Sequence, residues 1–189
     1  MTPITKPPGW EDLLTLAAEI SAEQGPGSAA WQADGSQTNA INARVMQALR
    51  ENGGTIPGEL GSVPCLVLTT IGARSGVPRA VPLFCLTIDG RLMIIGSMGG
   101  AHRNPPWFHN LVKTPAVTVE KDGETFAARA VVTEGAERDY FFAKFCATYP
   151  IFAEYQAGTA RVIPIVELVR GQAAPLESGF VCHNEQPAN

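Results

Sequence analysis

The sequence predicts a mainly β fold with flanking helices (α+β), about six antiparallel strands curled into a barrel. Three observations carry this. Asp89-Gly90 and Asp122-Gly123 each stand between two runs of apolar and β-branched residues, the strongest short-range signal for a hairpin. Long helical patterns occur only at the start of the chain and after Thr133. Finally, 189 residues with a hydrophobic fraction of 45% supply one domain with a sizeable core and are too few for two.

In chain order, Thr2 to Gly9 is proline-rich and reads as a loose arm. Trp10 to Glu23 has helical spacing, with Trp10, Leu13, Leu14, Ala17 and Ile20 on one face and Gly25-Pro-Gly27 as its stop. Anionic lipid would repel Glu11, Asp12, Glu19 and Glu23, so the apolar face is expected on the protein's own core rather than on a membrane. Ser36 to Arg50 is a second helix, with Ile41, Val45, Met46 and Leu49 inward and Asn52-Gly-Gly54 as its end. Pro57 to Gly61 is a loop. Residues 1–54 are thus expected to form a helical extension on the barrel, 55–170 the barrel and 171–189 a mobile tail.

Leu66 to Ile71 suits a buried first strand, and Arg79 to Thr87 a second, in which Pro82 calls for an edge or a bulge. Arg91 to Ser97 is the third. Asn104 is a candidate N-cap for a short helix, Pro105 to Lys113, ended by Thr114-Pro115. Val117 to Lys121 and Glu124 to Thr133 form the second hairpin. Glu134 to Tyr149 is a helix with Phe142, Phe145, Cys146 and Tyr149 on its core face, and Phe152 to Ala157 adds a turn or two. Val162 to Val169 closes the set.

Between the first two strands, Gly72 and Gly76 bracket Ala73-Arg74-Ser75, and Arg79 follows. Glycines permit positive φ and close approach to a ligand. Free amides, one hydroxyl and two guanidinium groups within so few residues suit a phosphate. Charge agrees. From Cys65 to Lys113 the chain has Arg74, Arg79, Arg91, Arg103 and Lys113 against Asp89 alone, whereas the remainder holds 9 basic and 17 acidic residues. A cationic middle in a protein of net charge −4 points to a small anion and away from nucleic acid. Cys65, Cys85, Cys146 and Cys182 have no paired spacing, and His102, His109 and His183 form no ligand motif, so buried thiols and no metal are expected. No uncharged apolar run is long enough to span a bilayer and no signal peptide is visible, which makes the cytoplasm, or the inner membrane face as a peripheral alternative, the expected location.

Four blocks, Thr69 to Arg79, Gly96 to Ala101, Asn104 to Asn110 and Tyr149 to Gln156, resemble in order and spacing the deazaflavin-dependent nitroreductase and F420H2-dependent quinone reductase family. The resemblance implies a split β-barrel of the FMN-binding type that binds coenzyme F420, an 8-hydroxy-5-deazaflavin bearing a phosphate and a glutamate tail. It implies hydride transfer to a quinone, an enone or a nitro compound. Carried over by position, Ala73, Arg74 and Ser75 hold the phosphate. Arg79, Ala80, Val81, Pro82, Leu83 and Phe84 line the cofactor. Ile95, Gly96, Ser97 and Met98 flank the ring. Pro106, Trp107, Phe108, His109 and Asn110 cover it, and Phe152 packs against it. Ala73, Arg74, Met98 and Phe152 stand where the family pattern often has arginine, lysine, lysine and tyrosine. The first and third remove cations near the tail, and the last removes a hydroxyl relevant to nitro compounds.

Reduction of a quinone or enone leaves an oxyanion that needs a proton donor. Tyr149, Tyr155 and Ser97 are the candidates. Tyr149 as a plain core aromatic and Ser97 as a plain strand end are the competing readings. Two other functions stay open at this stage: a non-catalytic F420-binding or storage protein, and a split-barrel reductase that uses FMN.

Overall fold

The computed structural model describes residues 35–54 and 64–171. The proline-rich arm, the Trp10–Glu23 helix, the Pro57–Gly61 loop and the tail after Gly171 lie outside the described residues. In chain order come α1 (Gly35–Glu51), β1 (Cys65–Ile71), β2 (Pro78–Ile88), β3 (Arg91–Ile95), a 3₁₀ turn (Met98–Gly100), α2 (Pro106–Lys113), β4 (Ala116–Lys121), β5 (Glu124–Val132), α3 (Gly135–Thr148), α4 (Ile151–Ala157) and β6 (Ile165–Arg170). The six strands close a barrel in the order β1-β2-β3-β6-β5-β4, every neighbouring pair antiparallel.

Both Asp-Gly turns are as expected. Asp89 and Gly90 take φ of 52° and 77°, and Asp122 and Gly123 take 52° and 79°. Two left-handed residues in succession give the turn whose twist matches the strands it joins.

Side-chain alternation divides the molecule into an interior and an outer wall. Leu66 and Leu68 of β1, Cys85 of β2, Ile94 of β3, Val117 and Val119 of β4, Ala128 and Ala130 of β5, and Val166 and Leu168 of β6 fill the interior, closed off by Trp107 and Leu111 of α2. Met93, Ile95 and Ile165, of the opposite parity, face Phe141 and Phe145 of α3 and Phe152 of α4. Cys65 and Val67 face outward onto Ala48 and Leu49 of α1, which Arg50 fastens to Glu120 through two bonds of 2.7 Å.

β2 explains Pro82. Residues 78–84 pair with β1 and residues 85–88 with β3, so each half of the strand has a different neighbour and the first half has none on its β3 side. Pro82 lies in that first half at a position that faces away from β1, where a missing N–H leaves no ladder bond unmade.

Three boundaries depart from expectation for reasons visible in the fold. β3 stops at Ile95 and β6 begins only at Ile165, because Gly96 N–H bonds Pro164 O at 2.9 Å and the chain turns off the sheet there. A Cβ at Gly96 would lie 2.7 Å from Pro164 Cγ, so that junction is sterically reserved for glycine. Asn104 does not cap α2. Pro105 is the N-cap, Pro106 is the first helical residue, and Asn104 Oδ1 accepts instead from Arg161 at 2.9 Å. On α3 the expected face holds, with Phe145 buried and Phe142, Cys146 and Tyr149 packed half-buried against the same core, and it widens to include buried Phe141 and Arg138, whose guanidinium Phe142 covers at 4.1 Å.

Leu68 is fully buried, whereas Val112 is 60% exposed. Leu68→Ala is expected to lower unfolding free energy by about 3 kcal/mol and Val112→Ala by less than about 0.5 kcal/mol, measured by urea denaturation.

Candidate functional site

One end of the barrel gathers the glycine-bracketed turn between β1 and β2, the glycine-rich segment after β3, and α2. At that end β1 and β3 finish while β2, β4 and β6 begin. A six-stranded barrel filled by side chains has no internal cavity to offer, so chemistry must sit at an end or on the outer wall.

The turn is built by backbone economy. Gly72 N–H bonds Val77 O at 2.9 Å and Gly76 N–H bonds Gly72 O at 2.8 Å. Val77 N–H bonds Ser75 Oγ at 3.3 Å. Gly76 needs its φ of 68°. Gly72 needs its missing side chain, since a Cβ there would lie 2.6 Å from Ser75 Oγ. α2 docks the turn onto the barrel through Asn110. Its Oδ1 accepts from Ala73 N–H at 2.8 Å, and its Nδ2 donates to Thr70 Oγ1 at 3.0 Å. Lys113 Nζ donates to Ala73 O at 2.6 Å.

This accounting corrects part of the expectation. Ala73 spends both backbone groups inside the protein and has none for a phosphate. Among the described residues, the Arg74 and Ser75 amides and the Arg74 and Arg79 guanidiniums have no partner. The other strand-end cations differ. Arg91, counted in the cationic middle, lies at the opposite end and pairs with Glu137 at 2.8 Å and Glu167 at 2.6 Å, which raise its pKa. Arg170 pairs with Glu124, and Lys121 with Asp122, beside a cleft of about 370 Å³ at that end. The charges there neutralise one another, whereas Arg74 and Arg79 remain available to an anion.

Alternation also revises the line from Arg79 to Phe84. Val81 and Leu83 pack against the interior, so only Ala80, Pro82 and Phe84 present side chains outward. Phe84 is 46% exposed and meets Phe152 edge to face at 6.4 Å. Phe152 is 3% exposed and also meets Phe145, Tyr149 and Tyr155 with centroids 5.8 to 6.3 Å apart. It is the hub of an aromatic wall whose outer members are Phe84, Tyr149 and Tyr155. Neither the Tyr149 nor the Tyr155 hydroxyl has a hydrogen-bond partner among the described residues, in contrast to Tyr140, which donates to Asp89. Burial pushes both phenols above the ordinary tyrosine pKa, so each stays protonated.

Elsewhere the structure sorts the remaining candidates. Ile95 is buried under α3 and α4, and Gly96 is buried beneath Pro164. Ser97 and Met98 are half-exposed, and the Ser97 side chain caps nothing. On α2, Pro106 and His109 are exposed, Phe108 is half-buried, and Trp107 and Asn110 point inward. Asn110 and Trp107 therefore act from behind the surface and do not cover a ligand with their side chains. Arg161, absent from the expected set, donates to Gly96 O, Ser97 O, Ala101 O and Asn104 Oδ1. Its sequence signal was a lone cation in an otherwise apolar approach to β6. No helix of the described residues is long and apolar enough to cross a membrane.

A closed antiparallel barrel that carries a cationic, glycine-bracketed turn and a wall of phenols without partners among the described residues has the parts of a barrel oxidoreductase. Comparison names the kind. The profile of the F420H(2)-dependent quinone reductase family matches residues 42–170, and the chain belongs to that family. An F420H(2)-dependent quinone reductase of Mycobacterium tuberculosis is 31% identical over 118 residues, which cover 58% of this chain and 76% of its own. Among solved structures, an F420-H2 dependent reductase (FDR-A) aligns with TM-score 0.51 at 34% identity, covering 56% of this chain and 93% of its own. A domain-swapped dimer aligns with TM-score 0.53 at 30% identity, covering 70% and 99%. Family membership makes this an F420H2-dependent oxidoreductase and, of the two cofactors weighed, indicates coenzyme F420.

The residues present fit such a cofactor. Gly72 lets Ser75 Oγ fold close over the turn, and the two guanidiniums and two amides there lack partners among the described residues. Asn110→Ala is expected to orphan the Ala73 amide and lower stability by about 2 kcal/mol, read by chemical denaturation. Gly72→Ala should leave stability less affected than F420 affinity, because the clash falls on Ser75 Oγ at the turn; a fluorescence titration checks this.

Proposed function

We propose that the protein reduces a quinone with F420H2, whose phosphate the glycine-bracketed turn would hold while the aromatic wall would receive the acceptor. Bound F420H2 supplies the hydride. Arg74 and Ser75 hold the phosphate, Arg74 by guanidinium and amide, Ser75 by amide and hydroxyl, and Arg79 adds charge at the start of β2. Ala80, Pro82 and Phe84 line the cofactor on the outer face of that strand. Ser97 and Met98 border the ring, with Pro106, Phe108 and His109 on its other flank.

As the quinone oxygen gains charge, it needs a donor. Tyr149 Oη or Tyr155 Oη gives that proton, with Ser97 Oγ as an additional hydrogen-bond donor. The observation that carries this reading is the pair of protonated, unpartnered phenols flanking Phe152. Phe84 and Phe152 keep that side apolar, which suits a flat aromatic acceptor and keeps water off the transferring hydride. Enones present the same need for a proton on oxygen and are the second acceptor class. Phe152 offers no hydroxyl and is buried, which disfavours nitro compounds. The remaining alternative, storage of F420 without turnover, predicts tight binding and no quinone reduction.

Arg74→Ala is expected to raise the F420 dissociation constant about tenfold to a hundredfold, the range for a hydrogen bond to a charged group; an unchanged value removes the phosphate assignment. Tyr149→Phe should lower turnover of a soluble quinone while leaving F420 affinity nearly intact. A tyrosine whose pKa lies above its usual value does not lose its proton until the solution is more alkaline than about pH 10. Turnover should therefore stay flat from about pH 7 to 9, and a basic limb inside that window would point to a different donor.

A further inference from the structure

Arg161 leaves the end of α4 and reaches back some sixty residues in sequence to the segment after β3. Its Nε donates to Ala101 O at 2.7 Å and its Nη1 to Asn104 Oδ1 at 2.9 Å. Its Nη2 donates to Gly96 O at 3.1 Å and to Ser97 O at 2.5 Å. Among the described residues no carboxylate pairs with it, whereas Arg50, Arg138 and Arg170 each have one and Arg91 has two. A half-buried cation without a counter-ion is costly, and here only carbonyl and amide dipoles offset that cost.

The segment it holds is strained. Met98, Gly99 and Gly100 take φ of 47°, 59° and 78°, three left-handed residues in a row, the first of them not a glycine. Such a backbone persists only where its surroundings over-determine it. The internal bonds, Gly100 N–H to Ser97 O and Ala101 N–H to Met98 O, are two. Arg161 adds four from outside. Its own backbone is anchored in turn: Gln156 of α4 donates to Arg161 O at 2.7 Å and accepts from Arg138 and from Ile163 N–H, each at 2.9 Å. One residue thus joins the helix that carries Tyr155 to the loop that carries Ser97 and Met98.

We propose that Arg161 is a positioning residue, fixing the Gly96–Asn104 loop against α4 so that ring and proton donor are held in register. This rests on the reading of Ser97 and Met98 as the border of the F420 ring. All four side-chain bonds of Arg161 go to the loop, three to backbone oxygens and one to Asn104 Oδ1, and no single neutral side chain reaches four acceptors.

The test compares wild type, Arg161→Ala and Arg161→Lys. In cofactor-free Arg161→Ala, amide hydrogen exchange at residues 97–101 should quicken at least about tenfold while the barrel strands keep their protection. Millimolar guanidinium should restore that protection, and Lys should restore it in part. With F420H2 and a soluble quinone, kcat should fall about tenfold to a hundredfold, as for a misplacement of about an ångström, with a smaller change in F420 affinity than Arg74→Ala gives. Unchanged exchange at 97–101 overturns the proposal. So does exchange that rises throughout the barrel without rescue, which would make Arg161 a general support. If Arg161→Ala does not fold, Arg161→Lys carries the same comparison. Wild type that fails to bind F420 would sink the functional reading, while the exchange data would still decide whether Arg161 holds the loop.

Discussion

The rest of the structure follows from the filling of the barrel. Period-two alternation sends Leu66, Leu68, Cys85, Ile94, Val117, Val119, Val166 and Leu168 into a space that six strands leave only just large enough for them. Nothing the size of a cofactor fits among these side chains. The other parity of β2, β3 and β6 faces out, where α3 and α4 supply Phe141, Phe145 and Phe152 to cover it. Phe84 and the two half-buried tyrosines sit at the boundary between covered and uncovered wall, where we propose the chemistry takes place. The two ends of the barrel differ in the same spirit. At one, arginine and lysine are matched to glutamate and aspartate; at the other, Arg74 and Arg79 are left unmatched beside a turn whose shape is set by Gly72, Gly76 and Asn110.

How much of this could be read from the residues alone varied with the range of the interaction. The Asp-Gly hairpins, the strand sequence and the glycine-bracketed turn are local signals, and each is where the chain pattern put it. The barrel followed because hairpins that bury one face each must share a core. Strand ends were misjudged at Ser97 and Val162 because a proline sixty-eight residues away from Gly96 ends both. Within the candidate site, listing Arg79 to Phe84 as a run overlooked that a strand shows a ligand only every second side chain. Ala73 looked available until Asn110 and Lys113, thirty-seven and forty residues on, were seen to occupy its amide and carbonyl.

Arg138 and Arg161, absent from the expected site, and Asn110, expected to cover a ligand and found docking the turn instead, share one reason. Each is a polar residue buried or half-buried by contacts at long sequence separation, and no periodicity marks such a role. Arg138 illustrates the point: it sits on the inward face of α3 because Ile163 O accepts from it at 2.9 and 2.7 Å and Phe142 shields its guanidinium. Only the folded chain shows that its charge has somewhere to go. The thiols were easier. Cys65 and Cys85 are enclosed by apolar neighbours that push their pKa to about 11 and about 12, so both are inert packing atoms under ordinary conditions.

The first half of β2, residues 78–84, pairs with β1 and leaves its other margin without a strand. Cys85 N–H points to the β1 side, where Pro64 O receives it at 3.0 Å, so even-numbered positions address the free margin. Two of those four positions, 78 and 82, are proline, which leaves donors only at Ala80 and Phe84. An incoming strand from a second molecule would find every other rung missing. The margin along which we propose the flat redox molecule lies is thereby protected against sheet extension and the aggregation that follows from it.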